Sequence, residues 1–266
     1  MIGRETSRPC HRASDHTVCM SGYALAVRAA ATIDVARIAD IAAEGDSHDA
    51  DAGYLAFIAA QGRMLVAELD GQVVAFGGMV PLGDVAMVTD LFVAAAARGC
   101  GFGGALLAAL LDGWPLRMTC SSQHAAALPV YRRAGMVPVD RLLYLDGHAI
   151  GGGAPLTPRP WRHDRRELVE HFAAEGALVA GDAVVQRTAE GATILRLQHH
   201  DPIARVREVL RALPAGTIVR VHVPQSDPLA AALLAAGFVV SDGDLLCATP
   251  GVTIPATCSC VHAGLF

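Results

Sequence analysis

Seven consecutive residues, Arg98-Gly99-Cys100-Gly101-Phe102-Gly103-Gly104, set one cation among four glycines, just ahead of the apolar run Ala105 to Leu111. A helix that starts here exposes amides its own carbonyls do not reach, and glycines let successive N–H groups turn toward one point. With the partial positive charge of the helix start and the full charge of Arg98, the segment suits a phosphate or pyrophosphate. Two other phosphate loops fit poorly. Gly99, Gly101 and Gly104 satisfy G-x-G-x-x-G, but Ala94 to Arg98 separate them from the strand Val85 to Val93. The next strand, Leu116 to Cys120, runs into Ser121-Ser122 and not into an acid for a ribose. A nucleoside-triphosphate loop needs a lysine before Ser or Thr, and every basic residue of this chain is arginine.

Val93, then Arg98-Gly99-Cys100-Gly101-Phe102-Gly103 and Leu106-Leu107, resembles the coenzyme A signature Arg/Gln-x-x-Gly-x-Gly/Ala of the GNAT superfamily of acetyl-CoA-dependent N-acetyltransferases. Downstream, Leu128-Pro129-Val130-Tyr131-Arg132-Arg133-Ala134-Gly135-Met136 resembles that superfamily's Leu-Tyr-x-x-x-Gly-Phe segment, with Met136 where phenylalanine is usual. The resemblance covers roughly Tyr23 to Asp146. It implies an α/β fold built on a mixed sheet with helices on both faces, acetyl-CoA as donor, and direct transfer of acetyl to a primary amine of a small molecule. The alternative, from another class, is a non-catalytic sensor of acetyl-CoA or a metabolite that acts through a partner.

The same resemblance implies residue roles. A bulge near Leu91, Phe92 and Val93 splays this strand from the next, the pantetheine arm runs along the exposed backbone, and one N–H polarises the thioester carbonyl. The coenzyme set is then Leu91, Phe92, Val93, Arg98, Gly99, Cys100, Gly101, Phe102, Gly103, Gly104 and His124, the last standing where many relatives carry asparagine. Tyr131 falls where the family places the proton donor to the departing thiolate. A phenol of pKa about 10 protonates a thiolate of pKa about 8.5 only slightly uphill. A primary amine is only about one-thousandth neutral at pH 7, so a base is useful. Asp90, on the strand that carries the bulge, is the first candidate and Asp84 the second; Asp90 could equally serve only to hold the bulge. No histidine and acid are placed by sequence beside Cys100 or Cys120, so both read as small packing residues.

Elements that must position these residues follow from pattern. Tyr23 to Ala29 alternates like a strand, and Ile33, Ala36, Arg37 and Ile41 outline an amphipathic helix after Thr32. Glu44 to Asp51 is an acidic loop, whose Asp46, Asp49 and Asp51 border the acceptor cleft in the family, and Ala52 to Gln61 is a second helix. Met64 to Leu69 and Val73 to Gly78 flank Asp70-Gly71, a type I′ hairpin signal. A turn at Pro81 to Asp84 leads into Val85 to Val93; Leu116 to Cys120, a helix His124 to Ala134 and a strand Val137 to Leu145 complete β-α-α-β-β-β-α-β-α-β.

The expected domains are a tail over 1–22, a catalytic domain over 23–147, a Gly/Pro-rich linker over 148–165, a second GNAT-like domain over 166–250 and a tail over 251–266. The second domain rests on an internal repeat. Shifted by 102 residues without a gap, Leu106 to Leu111 falls on Glu208 to Leu213, Leu116 to Cys120 on Ile218 to His222, and Ala134-Gly135-Met136 on Ala236-Gly237-Phe238. The glycine loop falls on His200 to Arg205, where Asp201 caps a helix, Pro202 opens it and no glycine remains. Tyr131 falls on Leu233.

Composition sets the remaining bounds. A chain of 266 residues, 53% hydrophobic, has ample apolar content for one large or two modest cores. Its mean hydropathy of +0.38 raises the question of a membrane, but the longest apolar run, around Phe102 to Leu111, is too short to span one. A formal charge of −5 argues against nucleic acid or a polybasic membrane anchor. Seven cysteines and an N-terminus without a signal-peptide core read as a cytoplasmic protein with free thiols, monomeric or homodimeric, with translation starting at Met1 or Met20. Cys10, His11, His16 and Cys19, and at the other end Cys258, Cys260 and His262, lack metal-ligand spacing, so no metal site is expected.

Overall fold

The computed structural model describes residues 25–45, 52–253, 261, 262 and 265. The expectations about the first 22 residues, Asp46, Asp49, Asp51, Cys258 and Cys260 lie outside that set, as does Tyr23 at the start of the first strand. The chain divides into two compact units, Met1–Met79 with Asp90–Asp112, and Val80–Thr89 with Gly113–Phe266.

In the first unit, β1 (Leu25–Ala29) pairs antiparallel with β2 (Arg63–Leu69), and β2 with β3 (Gln72–Leu82). The Leu69↔Gln72 register closes over Asp70 and Gly71 at φ 51° and 78°, the positive pair that a type I′ turn needs. Between β1 and β2 lie α1 (Val35–Ala43) and α2 (Ala52–Gln61). Ile33, expected on the buried face of the first helix, is 87% exposed. The residues Thr32–Asp34 form a single 3₁₀ turn, whose three-residue period throws Ile33 outward, and the buried stripe is Ile38, Ile41 and Ala42. Asp34 fixes that turn: its carboxylate accepts from the Ala31 amide at 2.7 Å and from Arg28 at 2.6 and 2.9 Å. Arg28 holds Glu68 of β2 as well. These bonds keep the Asp34 carboxyl below its ordinary range, chiefly through Arg28. Beyond β4 (Val85–Val93), α3 (Phe102–Leu110) buries Phe102, Leu106, Leu107 and Leu110. Its C-terminal carbonyls at Leu110 and Asp112 accept from Arg63, the favourable sign for a helix end.

The second unit begins with the first half of β4, whose Val85–Val88 pair in parallel with Leu116–Thr119 of β5 (Leu116–Ser121). After β5 come α4 (Ala127–Arg133), β6 (Val137–His148), α5 (Arg166–Ala174), β7 (Leu178–Val179), β8 (Ala183–Arg187) and β9 (Ala192–Leu197). Next follow α6 (Pro202–Ala212), β10 (Ile218–Pro224), α7 (Pro228–Ala235) and β11 (Val239–Ala248). Hydrogen bonds order the strands β5-β11-β6-β10-β9-β8-β7. The last strand of each sequence half is therefore exchanged: β11 pairs with β5, while β6 pairs with β10, and β11 and β6 meet antiparallel between them.

Some positions 102 residues apart share local geometry. Helix α4 ends with Met136 N–H on Tyr131 O, and α7 ends with Phe238 N–H on Leu233 O, each at 3.0 Å. Asp201 accepts from Ala204 N–H at 3.0 Å and Pro202 occupies the first turn of α6, as expected. The parallel pairs Val88↔Thr119 and Val221↔Ile194 correspond too, but with an offset of 106 on β9 against 102 on β10. The connection from β9 to α6 is thus four residues shorter than that from β4 to α3, and the glycine loop is what it lacks.

Among the described residues no helix is long and apolar enough to cross a membrane. A fragment ending at residue 165 keeps β5 and β6 but removes β10 and β11, so β6 loses both neighbours. By circular dichroism it should show no cooperative thermal transition; a sharp melt like that of the full chain would contradict the strand exchange.

Candidate functional site

Strand β4 delivers the chain to the glycine loop. Val93 ends the strand, Ala94 donates back to Val74 O at 2.8 Å, and a 3₁₀ turn over Ala95–Ala97 brings Arg98 to the loop. That turn is capped from α1, because the Glu44 carboxylate accepts from the Ala95 amide at 2.6 Å. Arg98 was expected to face an anion directly. Its Nε donates to Val93 O and its Nη2 to Glu44 O, both at 3.0 Å, so the guanidinium also braces the loop against β4 and the end of α1. The residue remains exposed on its other side.

Gly99 and Gly101 take φ of 80° and 86°, and Gly101 is the residue from which α3 departs. The first helical bond is Ala105 N–H to Gly101 O at 3.1 Å, which leaves the amides of Phe102, Gly103 and Gly104 without a helical acceptor. No acidic residue lies in the first turn of α3. A Cβ at Gly99, Gly101 or Gly104 would meet nothing within 4 Å, so the space above the loop belongs to no other part of the protein. Gly103 instead faces the side chain of Val93, at 3.4 Å. Amides without a helical acceptor, beside open space at the positive end of a helix, suit a pyrophosphate such as that of coenzyme A. Cys100 is half-exposed beside them and Phe102 is buried beneath.

Upstream on β4, Leu91 and Phe92 are half-exposed, and Phe92 stacks on Phe76 at 5.3 Å. Asp90 is 7% exposed and accepts from Tyr54 Oη at 2.8 Å. Nothing in the sequence marked Tyr54, which lies 36 residues earlier on the apolar helix α2 and reads as a core residue. Together the first unit gathers Asp90, Leu91, Phe92, Val93 and Arg98 through Gly104.

Tyr131 and His124 belong to the second unit. Tyr131, on α4, is 7% exposed. The helix starts at Ala127 and not at His124 because the His124 ring accepts from the Ala126 amide at 3.2 Å, turning the chain before the helix begins. On the same side of the sheet's midpoint, β4 and β5 part company: Thr119 Oγ1 donates to Val88 O at 3.0 Å at the last rung, and Cys120 and Ser121 pair with β11. Asp84, the second candidate base, sits in the turn before β4, at the other end of that ladder.

The fold is α/β, and the helix start at Gly101 suits a diphosphate. Residues 60–137 match the family model described as "Acetyltransferase (GNAT) domain". The fold is similar to that of an acetyltransferase-fold protein from Pyrococcus horikoshii, at 13% identity and TM-score 0.70, over 96% of this chain and 99% of that one. It is also similar to a GCN5-related N-acetyltransferase from Sphaerobacter thermophilus, at 16% identity and TM-score 0.53, over 86% of this chain and 98% of that one. Among curated proteins the chain finds no match. The matched segment runs from the end of α2 through β4, the glycine loop and α3 to the start of β6, and its resemblance to an acetyltransferase domain supports an acyltransferase that uses acetyl-CoA as donor.

Gly101→Val forces a β-branched residue into a left-handed conformation and points its side chain into the cradle. Calorimetry with coenzyme A should show affinity lowered by about two orders of magnitude or more, a cost in line with strain of about 1–3 kcal/mol plus lost amide contacts. Native affinity in a folded variant would remove the loop from the coenzyme site.

Proposed function

We propose that the chain is an N-acetyltransferase that moves acetyl from acetyl-CoA directly to the primary amine of a small molecule. The observation that carries this reading is the cradle at Gly99–Gly104, whose first helical amides have no helical acceptor. When bound, acetyl-CoA supplies a thioester whose carbonyl carbon is open to attack by the amine. The chain's part is to hold, polarise and move protons. In this reading the backbone of Leu91, Phe92 and Val93 lines the pantetheine arm, and one of its amides polarises the thioester carbonyl. Such an aimed donor is worth about 3–4 kcal/mol in other acyl-transfer sites.

The amine attacks, the C–S bond breaks, and two proton transfers complete the exchange. Asp90 receives the amine proton, directly or through water, with Tyr54 fixing its carboxylate by the 2.8 Å hydrogen bond. Tyr131 gives its phenolic proton to the leaving thiolate. His124 is assigned to the coenzyme set with Arg98, Cys100 and Phe102. The C-terminal half is read as a second GNAT-like unit that kept the strand-helix-strand core and lost the coenzyme loop. Its support is the matched ladder ends, the matched helix ends and the connection four residues shorter. The same reading assigns the enzyme to the cytoplasm, as a monomer or homodimer without nucleic-acid or membrane partners.

Release of free thiol from acetyl-CoA, followed across a panel of primary amines, tests the activity: at least one amine should accelerate it, and binding without turnover on any would defeat the proposal. Tyr131→Phe should lower kcat by about 10² to 10⁴ with little change in coenzyme affinity. An unchanged kcat would take the acid role from Tyr131.

A further inference from the structure

One face of the second unit carries an arrangement that acetyl donation does not use. Cross-strand partners share a face, so the register brings together Cys120 on β5, Asp242 and Asp244 on β11, Tyr144 on β6 and His222 on β10. A bulge makes this possible. Val240 stands opposite Leu145 and Asp242 opposite Tyr144, so Ser241 is the extra residue. It turns Asp242 and Asp244 onto the Tyr144 face in place of Ser241 and Gly243. Ser241 Oγ donates to Tyr144 O at 3.1 Å and pins the bulge.

The two carboxylates lack a cation. Asp244 accepts from Tyr144 Oη at 2.6 Å, and Asp242 accepts from the Gly243 amide at 2.8 Å. Neither forms an ion pair among the described residues, and Arg220, the arginine whose field reaches Asp242, is bidentate on Asp146 at 2.8 Å. Partial burial, and then Asp242, raise the carboxyl of Asp244, as expected for an acid placed without a counterion.

A second observation is independent of the acids. His222 stacks on Tyr144 with ring centroids 4.1 Å apart, and both its ring nitrogens are buried without a hydrogen bond of ordinary geometry among the described residues, the Val261 backbone engaging the ring only weakly. Burial, then His262 and Arg220, lower its pKa to about 3, so the ring is neutral and keeps an acceptor nitrogen without repelling a cation. A cation-poor acidic pair, an aromatic platform and an unused acceptor are complementary to one chemistry, an ammonium carried on an apolar body.

The site lies past the end of the β4–β5 ladder. Cys120 is the first residue of β5 beyond the last rung with β4, and Asp244 immediately precedes Leu245, the partner of Ser121. Resting on the acetyltransfer reading above, we infer that Asp244, Tyr144, Asp242 and His222 form the binding site for the acceptor's ammonium group, held there before the amine is deprotonated.

Calorimetry on the full chain with benzylamine, with benzyl alcohol as its uncharged counterpart and with coenzyme A run separately, tests this. Benzylamine should bind and the alcohol should not. Asp244→Asn should weaken benzylamine at least tenfold, and Tyr144→Phe, which removes the donor that favours the ionised acid, should weaken it several-fold. Both variants should keep wild-type affinity for coenzyme A, which also shows that they are folded. No benzylamine binding, equal binding by Asp244→Asn and wild type, or equal binding of the alcohol overturns the inference. Benzylamine binding that depends on Asp244, in a protein that does not bind coenzyme A, supports the ammonium site and defeats the acetyltransfer reading alone.

Discussion

The constraint on which the site depends is that the β4–β5 ladder stops at Val88 and Thr119. Backbone donors and acceptors released from a ladder must be satisfied elsewhere. At the last rung Thr119 turns its hydroxyl onto Val88 O, while β5 keeps β11 on its other edge through Ser121. Further along β4, Val93 O takes Arg98, and the side chain that satisfies this carbonyl is the residue that opens the glycine run.

In the C-terminal half, proposed above as a second unit, strand and helix are joined differently. Its β9–β10 ladder ends at the matching rung, Ile194 and Val221, so the divergence is retained. Four residues are missing between strand and helix, and Asp201 now accepts the amide of Ala204 from within the chain. A helix start can serve an internal carboxylate or an external anion, but the same amides cannot serve both at once. An acidic cap at α6 and a first turn without acid at α3 thus leave the two helix starts with different electrostatics.

How far the sequence reached follows from the range of each signal. Local signals were legible: Asp70-Gly71 as a hairpin, Val85–Val93 as one strand, Gly99–Gly104 as a helix-opening loop and Asp201-Pro202 as a cap with a first-turn proline. Each is written within a few neighbouring residues. Ile33 was misplaced because one turn of 3₁₀ geometry shifts the phase of an apolar stripe, and the Arg28–Asp34–Glu68 cluster that imposes the turn spans β1 and β2. The Tyr54–Asp90 bond and the exchange of β6 and β11 were hidden for a related reason. Pairing of β5 with β11 joins segments more than a hundred residues apart, and no periodicity records which edge a strand will choose. The acidic face at Tyr144 depends on that exchange and on one inserted serine, so it could not be read from motifs.

The arrangement also separates two kinds of electrostatics. The chain has no lysine, and Arg98 gives two of its donors to backbone carbonyls, so in the proposed site much of the grip on a diphosphate would come from oriented amides. Amide dipoles do not titrate, and a site built on them holds its strength across the working pH range. The acidic face is the opposite case. Burial raises the Tyr144 phenol and the Cys120 thiol, and His222 is pushed down to about 3, so these three stay neutral near pH 7. Arg220 is committed to Asp146. Burial raises the Asp244 carboxyl, so its charge is lost as pH falls and gained as pH rises. Attraction for an ammonium therefore grows with pH in the same direction as the fraction of amine free to react. In this enzyme, pH control of the reaction would come from the acceptor side, while the donor side stays constant.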